Sequence, residues 1–140
     1  EWARNEALFA AERESLTPAR LAAVPAAELT DLRLQPHPSA RWLESPWPIH
    51  ATWDAHQPGG GPLEAVDLER AESVLVWRQS GSVRQRLLSD GEFALLAAFA
   101  VNRPLAAAAA ASAAERDSAF DFSVALARFL NEALLVCATG

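Results

Sequence analysis

Lysine, methionine and tyrosine are absent from this 140-residue chain, and cysteine occurs once. A single thiol, Cys137, excludes an internal disulfide and fits a reducing compartment. With only His37, His50 and His56 to join it, zinc-type ligand spacing is missing as well. Basic charge is scarce: twelve arginines face 18 carboxylates, for a net charge of -6 and a pI near 5.0. That balance argues against a strong polyanion binder, because nucleic-acid affinity rests mainly on clustered cations that neutralise phosphates. No apolar run reaches the roughly 18 residues that span a bilayer. The N-terminus also lacks the basic-then-apolar order of a secretion signal. The chain reads as soluble and cytoplasmic, and its start without methionine reads as a segment of a longer protein. The alanine abundance and the exclusive use of arginine match the codon bias of a GC-rich genome.

The length suits one ordinary domain with a real core. Residues 1-28 read as the remnant of a helical domain plus a connector, and 29-140 as the main domain. Trp2 to Arg13 has helix-forming composition. Thr17-Pro18 supplies an N-cap and a first-turn proline for a short helix through Ala23, and Pro25 opens another turn reaching Leu29. Asp31 to Gln35 alternates like a half-buried strand. Prolines then allow only short extended pieces, of which Ala40 to Leu43 is the best, and Ile49 to His56 reads as a short helix. Gln57 to Pro62, with three glycines between prolines, reads as a surface loop; no Lys-Ser/Thr follows to make it a phosphate loop.

Ser73 to Arg78 and Val83 to Leu88, joined across Gln79-Ser80-Gly81-Ser82, predict a hairpin. Val83, Gln85 and Leu87 share one face of the second strand, and Arg84, Arg86 and Leu88 the other. Ser89 and Glu92 form a capping-box signal for a nearly all-apolar helix from Asp90 to Val101. Pro104 and the alanine run open a second helix. Phe122, Leu126, Phe129, Leu130, Ala133 and Leu134 recur at the spacing of a third. Strand, strand, helix, helix, helix is the order of a winged-helix module: an α+β fold with a small antiparallel sheet packed on a three-helix bundle and an N-terminal helical extension.

No constellation suggests catalysis. No serine sits in a nucleophile elbow, Asp117 and Asp121 read as helix caps, and the three histidines read as surface or turn residues. A binding module, not an enzyme, is expected, with no metal and no cofactor. Duplex DNA is disfavoured, because the outward side of the third helix sets Arg128 and Asn131 against Asp121 and Glu132. Peptide capture needs a free strand edge beside an apolar groove. Val83, Arg84, Gln85, Arg86 and Leu87 would supply the edge, and Phe122, Leu126 and Phe129 the groove, unless these apolar residues form the core. Strand arginines at 33, 41, 78, 84 and 86 would make either a solvated face or a polar rim for an acidic peptide. Trp42, Trp47 and Trp53 either fix the proline-rich segment or form a contact surface for a protein partner.

Leu34-Gln35-Pro36-His37-Pro38-Ser39-Ala40-Arg41-Trp42-Leu43, Ser45-Pro46-Trp47-Pro48-Ile49 with Trp53, and Glu72 to Arg78 resemble the C-terminal half of HvfC/BufC-type proteins, often labelled a DNA-binding domain. The resemblance runs from about Glu28 to Val136. It implies a partner subunit of multinuclear iron enzymes with a TIM-barrel fold, which modify cysteines of ribosomally made peptides; the methanobactin partner protein belongs to the same broad group. By that resemblance the domain would hold the leader of a precursor peptide by strand addition, while the enzyme subunit supplies iron and chemistry. The alternative is a winged-helix transcriptional regulator that binds DNA.

Overall fold

The computed structural model describes residues 2-11, 13-47, 50, 53, 55-56, 72-113 and 120-137. In chain order they form α1 (Trp2–Phe9), α2 (Pro18–Ala22), α3 (Ala26–Leu29), β1 (Leu34–Pro36), β2 (Arg41–Ser45), β3 (Glu72–Gln79), β4 (Ser82–Leu87), α4 (Asp90–Ala100), α5 (Leu105–Ala113), α6 (Phe122–Asn131) and β5 (Leu135–Cys137). The fold is α+β. Its strands make two antiparallel sheets, one ordered β2-β3-β4 and the other pairing β1 with β5.

The β3-β4 hairpin closes through Ser80 and Gly81, both at positive φ (52° and 80°), the backbone that a two-residue turn with the strands' own twist requires. Pairing Val76 with Gln85 and Leu75 with Arg86 puts Val74, Val76 and Val83 on one face and Leu75 and Trp77 on the other. Each face is covered. Ala3 and Ala7 of α1 pack with Val74 and Val76, and their small side chains let the helix lie close to the sheet. Leu75 and Trp77 join the main core with Leu95, Leu96 and Phe99 of α4 and Phe129 and Leu130 of α6.

Central strand β3 also closes the ends of both covering helices. The last carbonyls of a helix have no partner within it. At α1 they are met by Arg78, whose guanidinium donates to the carbonyls of Ala7, Leu8, Ala10 and Ala11 at 3.0, 2.8, 3.0 and 3.4 Å. The helix accordingly stops at Phe9, short of the Arg13 that composition predicts. At α6, Trp77 Nε1 donates to the Glu132 carbonyl (2.9 Å) and Gln79 Nε2 to that of Asn131 (2.9 Å).

The capping box at α4 forms as predicted: Ser89 Oγ accepts from the Glu92 amide (3.2 Å), and Glu92 Oε1 accepts from the Ser89 amide (3.1 Å). Leu95, Leu96 and Phe99 are fully buried, as expected of a central helix. At the other end the Arg103 amide donates to the Ala98 carbonyl and the Asn102 amide to that of Phe99. This reversal needs a left-handed residue, and Asn102 (φ 62°) tolerates it.

The last helix departs from its predicted length. Periodicity extends it through Leu134, but α6 ends at Asn131, and Ala133 takes φ 56° with the Leu134 amide on the Phe129 carbonyl. The released segment becomes β5, pairing Leu34 with Cys137 and Pro36 with Leu135, and Leu134, Leu135 and Val136 are fully buried. Alanine pays a steric penalty in this backbone that glycine does not. Ala133→Gly is therefore expected to stabilise the fold by about 0.5–1 kcal/mol, read as a higher urea midpoint at unchanged slope.

The predicted loop from Gln57 to Pro62 and the cap at Asp117 lie outside the described residues. Of the predicted helix over 49-56, His50, Trp53 and Ala55 are helical and Ile49 is not described.

Candidate peptide-binding edge

In the order β2-β3-β4 the hairpin's second strand is an outer strand, and the proline-punctuated segment 32-43 pairs elsewhere, with β5 and with the far side of β3. Antiparallel partners alternate between bonded and non-bonded pairs. The Leu88 amide donates to the Ser73 carbonyl (2.8 Å), which fixes the phase: even-numbered residues of the strand bond to β3. The backbone groups of Val83, Gln85 and Leu87 therefore point away from the sheet. Among the described residues no further strand pairs with them. One group on this line is already engaged, because the Leu87 carbonyl accepts from Arg86 Nη1 (2.9 Å).

The eight residues expected to form the peptide site are divided by the fold. Val83 is half-buried against the α1 cluster, and the Gln85 side chain is engaged by Arg4 (3.3 Å) and His50 (3.1 Å). Arg84 is exposed and forms no ion pair among the described residues, and Leu87 is 38% exposed. Phe122 and Leu126 are half-buried against the main core. Phe129 is fully buried and offers no surface to a ligand. The edge is thus formed by Arg84, Leu87 and the outward backbone, while the expected groove wall is part of the core.

Arg86 is a structural cation. Its Nε and Nη2 grip Glu132 at 2.7 and 2.8 Å, Nη2 also reaches Glu92 at 2.9 Å, and its guanidinium lies 5.8 Å from the centre of the Phe129 ring. The three charged side chains are only 10–16% exposed. Burial opposes the arginine's charge, but the hydrogen bonds it donates to Glu132 and Glu92, with the attraction of their charges, outweigh it and hold the guanidinium above its ordinary pKa. The network ties β4 to the start of α4 and the end of α6.

Other strand arginines are likewise spent inside the molecule. Arg41 pairs with Glu6 of α1 (2.7 Å), Arg78 caps that helix, and Arg33 Nη1 donates to the Asn102 carbonyl. The polar rim imagined for an acidic peptide reduces to Arg84. The three tryptophans do not form one surface either. Trp42 packs on the main core, Trp53 lies on the opposite face beneath Arg4 (4.9 Å) and beside His50, and Trp47 alone is largely exposed, at 64%.

His37 opens a turn, its carbonyl accepting from the Ala40 amide (2.8 Å), but its side chain is buried and not at the surface. The Ser39 amide donates to its Nδ1 (3.0 Å), so the proton sits on Nε2, which donates to the Arg13 carbonyl (3.1 Å). Ser39 Oγ, 2.9 Å from Nδ1, accepts the Arg78 amide at 3.0 Å. The His-Pro-Ser-Ala-Arg stretch is a buried junction between the connector and β3. Fully buried Ser39 has no access to a substrate.

A cleft of about 600 Å3 crosses the end of the three-stranded sheet, where Leu87 and Leu88 meet Glu44, Ser45, Glu72 and Asp90. Glu72 accepts the His50 amide (2.8 Å), whereas Glu44 and Asp90 are exposed and form no ion pair among the described residues. Sequence reasoning missed these acids, because they come from three elements and only register assembles them. Among the described residues no group of three or more His, Cys, Asp and Glu is placed to hold a metal, and no helix is long and apolar enough to cross a membrane. Neither the protein-family models nor the curated proteins contain a match to this chain.

Proposed function

We propose that this chain is a non-catalytic accessory domain that captures an extended peptide by strand addition at β4. The observation that carries the reading is the outward line of Val83, Gln85 and Leu87 backbone on an outer strand. Main-chain pairing supplies affinity in such capture, and flanking side chains supply selectivity. The hairpin followed by three helices suits a winged-helix module. The resemblance of the Leu34 to Leu43 and Glu72 to Arg78 stretches supplies the rest: the peptide is the leader of a ribosomally made precursor, and the domain presents it to a multinuclear iron, TIM-barrel enzyme in a bacterial cytoplasm.

The regulator reading has less support. On α6 the Arg128 side chain lies 3.8 Å from Glu132, and no cationic cluster accompanies it among the described residues. A regulator predicts salt-steep duplex binding; strand addition predicts none in a low-salt mobility shift. Arg84→Glu combined with Leu87→Asp is expected to weaken leader-peptide binding at least tenfold, about 1.4 kcal/mol, with the unfolding midpoint little changed. Unchanged affinity, measured by calorimetry on the folded double variant, overturns the site. Co-purification with an iron-containing subunit tests the partner.

A further inference from the structure

We infer that the peptide taken up at β4 is dipolar, with a basic side chain at the cleft and an acidic side chain opposite Arg84, four positions later in an antiparallel strand. The inference rests on the strand-addition reading and adds the chemistry of the occupant. The two ends of β4 meet opposite charge: Arg84 stands near the turn, and Asp90 just past the strand, with Glu44 of β2 across the end of the sheet. Near the hairpin turn stands Arg84, exposed and without an ion pair among the described residues. Beyond Leu87, at the other end, the cleft presents Glu44 and Asp90, and no arginine or histidine is among its described lining residues; Arg103 borders the adjoining pocket that the same two acids line.

Register makes the two ends usable by one ligand. Residues 84 and 88 lie on the same face of the strand, and Glu44 and Ser73 face the same way, since Trp42 pairs with Leu75 and Glu44 with Ser73. An added antiparallel strand would therefore project the residue opposite Leu88 and the residue opposite Arg84 to that same side. At about 3.3 Å per residue they stand roughly 13 Å apart, matching the distance along the edge. Arg86, between them, is already neutralised by Glu92 and Glu132 and makes no demand on the ligand. A uniformly acidic peptide would be repelled at the cleft, and a uniformly basic one at Arg84.

The probes are acetylated, amidated decapeptides rich in threonine and glutamine, applied to the full chain at low ionic strength and read by fluorescence anisotropy. One carries arginine with glutamate four residues later; a second has glutamine at both positions; a third reverses the order. The first is expected to bind at least tenfold more tightly than the other two. Glu44→Gln with Asp90→Asn should remove the advantage given by arginine, and Arg84→Gln that given by glutamate. Equal binding of the first two peptides overturns the charge pattern while strand capture stands. Preference for the reversed order overturns the antiparallel arrangement. Failure of every probe, charged and neutral alike, overturns the capture reading itself.

Discussion

Arg86→Ala is expected to cost the fold about 3–5 kcal/mol, because it strands Glu92 and Glu132 in a site where they are 10% and 16% exposed. A buried ion pair need not be a net source of stability, since desolvation of both partners offsets their attraction. Breaking it from one side is costly for a different reason: the remaining charges keep the desolvation penalty and lose the compensation. A control separates these effects. Arg86→Met combined with Glu132→Leu keeps the Ser89–Glu92 capping box and removes the charge that faces it, so it should recover a large part of the loss. Urea denaturation of the two variants measures the difference. If Arg86→Ala unfolded within 1 kcal/mol of the parent, the network would be peripheral. The sign of the pH dependence follows from the raised pKa of Arg86. Its contribution is complete below the ordinary arginine value and is lost only as pH climbs through the higher folded value, so this cation holds its charge across physiological pH.

The same residue shows what the sequence made legible and what it did not. Signals are legible in the sequence where the physics is local. Ser89 and Glu92 are three residues apart, and that spacing alone specifies a reciprocal cap. The hairpin, Thr17-Pro18 and the apolar run of α4 are of the same kind. Arg86 also sits where alternation put it, but its partner Glu132 is 46 residues away, and nothing nearby distinguishes a solvated arginine from a buried one. Arg78 is similar: its role depends on α1 lying against β3, about 70 residues removed. The unpredicted β5 has another cause. Leu134, Leu135 and Val136 continue the apolar spacing of α6, so periodicity favours a longer helix. The backbone reverses at Ala133 instead, and these three residues become buried through the pairing with β1 and its flanks. At the candidate site the hairpin was legible but its outer strand was not, because a hairpin fixes one neighbour of each strand and only the order β2-β3-β4 sets β4 at the side among the described residues. Nor were the acids at its end, since Glu44, Glu72 and Asp90 meet only through register.

Phe129→Ala distinguishes core from groove at the point where the two readings of α6 conflict. The ring is fully buried among Leu75, Leu95, Leu96 and Phe99 in one cluster, with the Arg86 guanidinium 5.8 Å from its centre. Truncation removes the transfer energy of the ring and leaves a cavity that these neighbours fill only in part. A loss of about 3–5 kcal/mol is expected, seen as a lower urea midpoint. Part of that loss passes through Arg86, whose contact with the ring face disappears while its two carboxylates remain. If Phe129 were instead a wall of a peptide groove, truncation would weaken peptide binding and spare stability. The buried position predicts the reverse for protein held under folding conditions: affinity of the folded fraction unchanged, stability sharply reduced. Leu87→Ala at the exposed edge should give the opposite pair, a small change in midpoint and weaker peptide binding. These paired outcomes assign the binding surface to the β4 edge and the α6 aromatics to the core that supports it, because one residue can move only the quantity its surroundings couple it to.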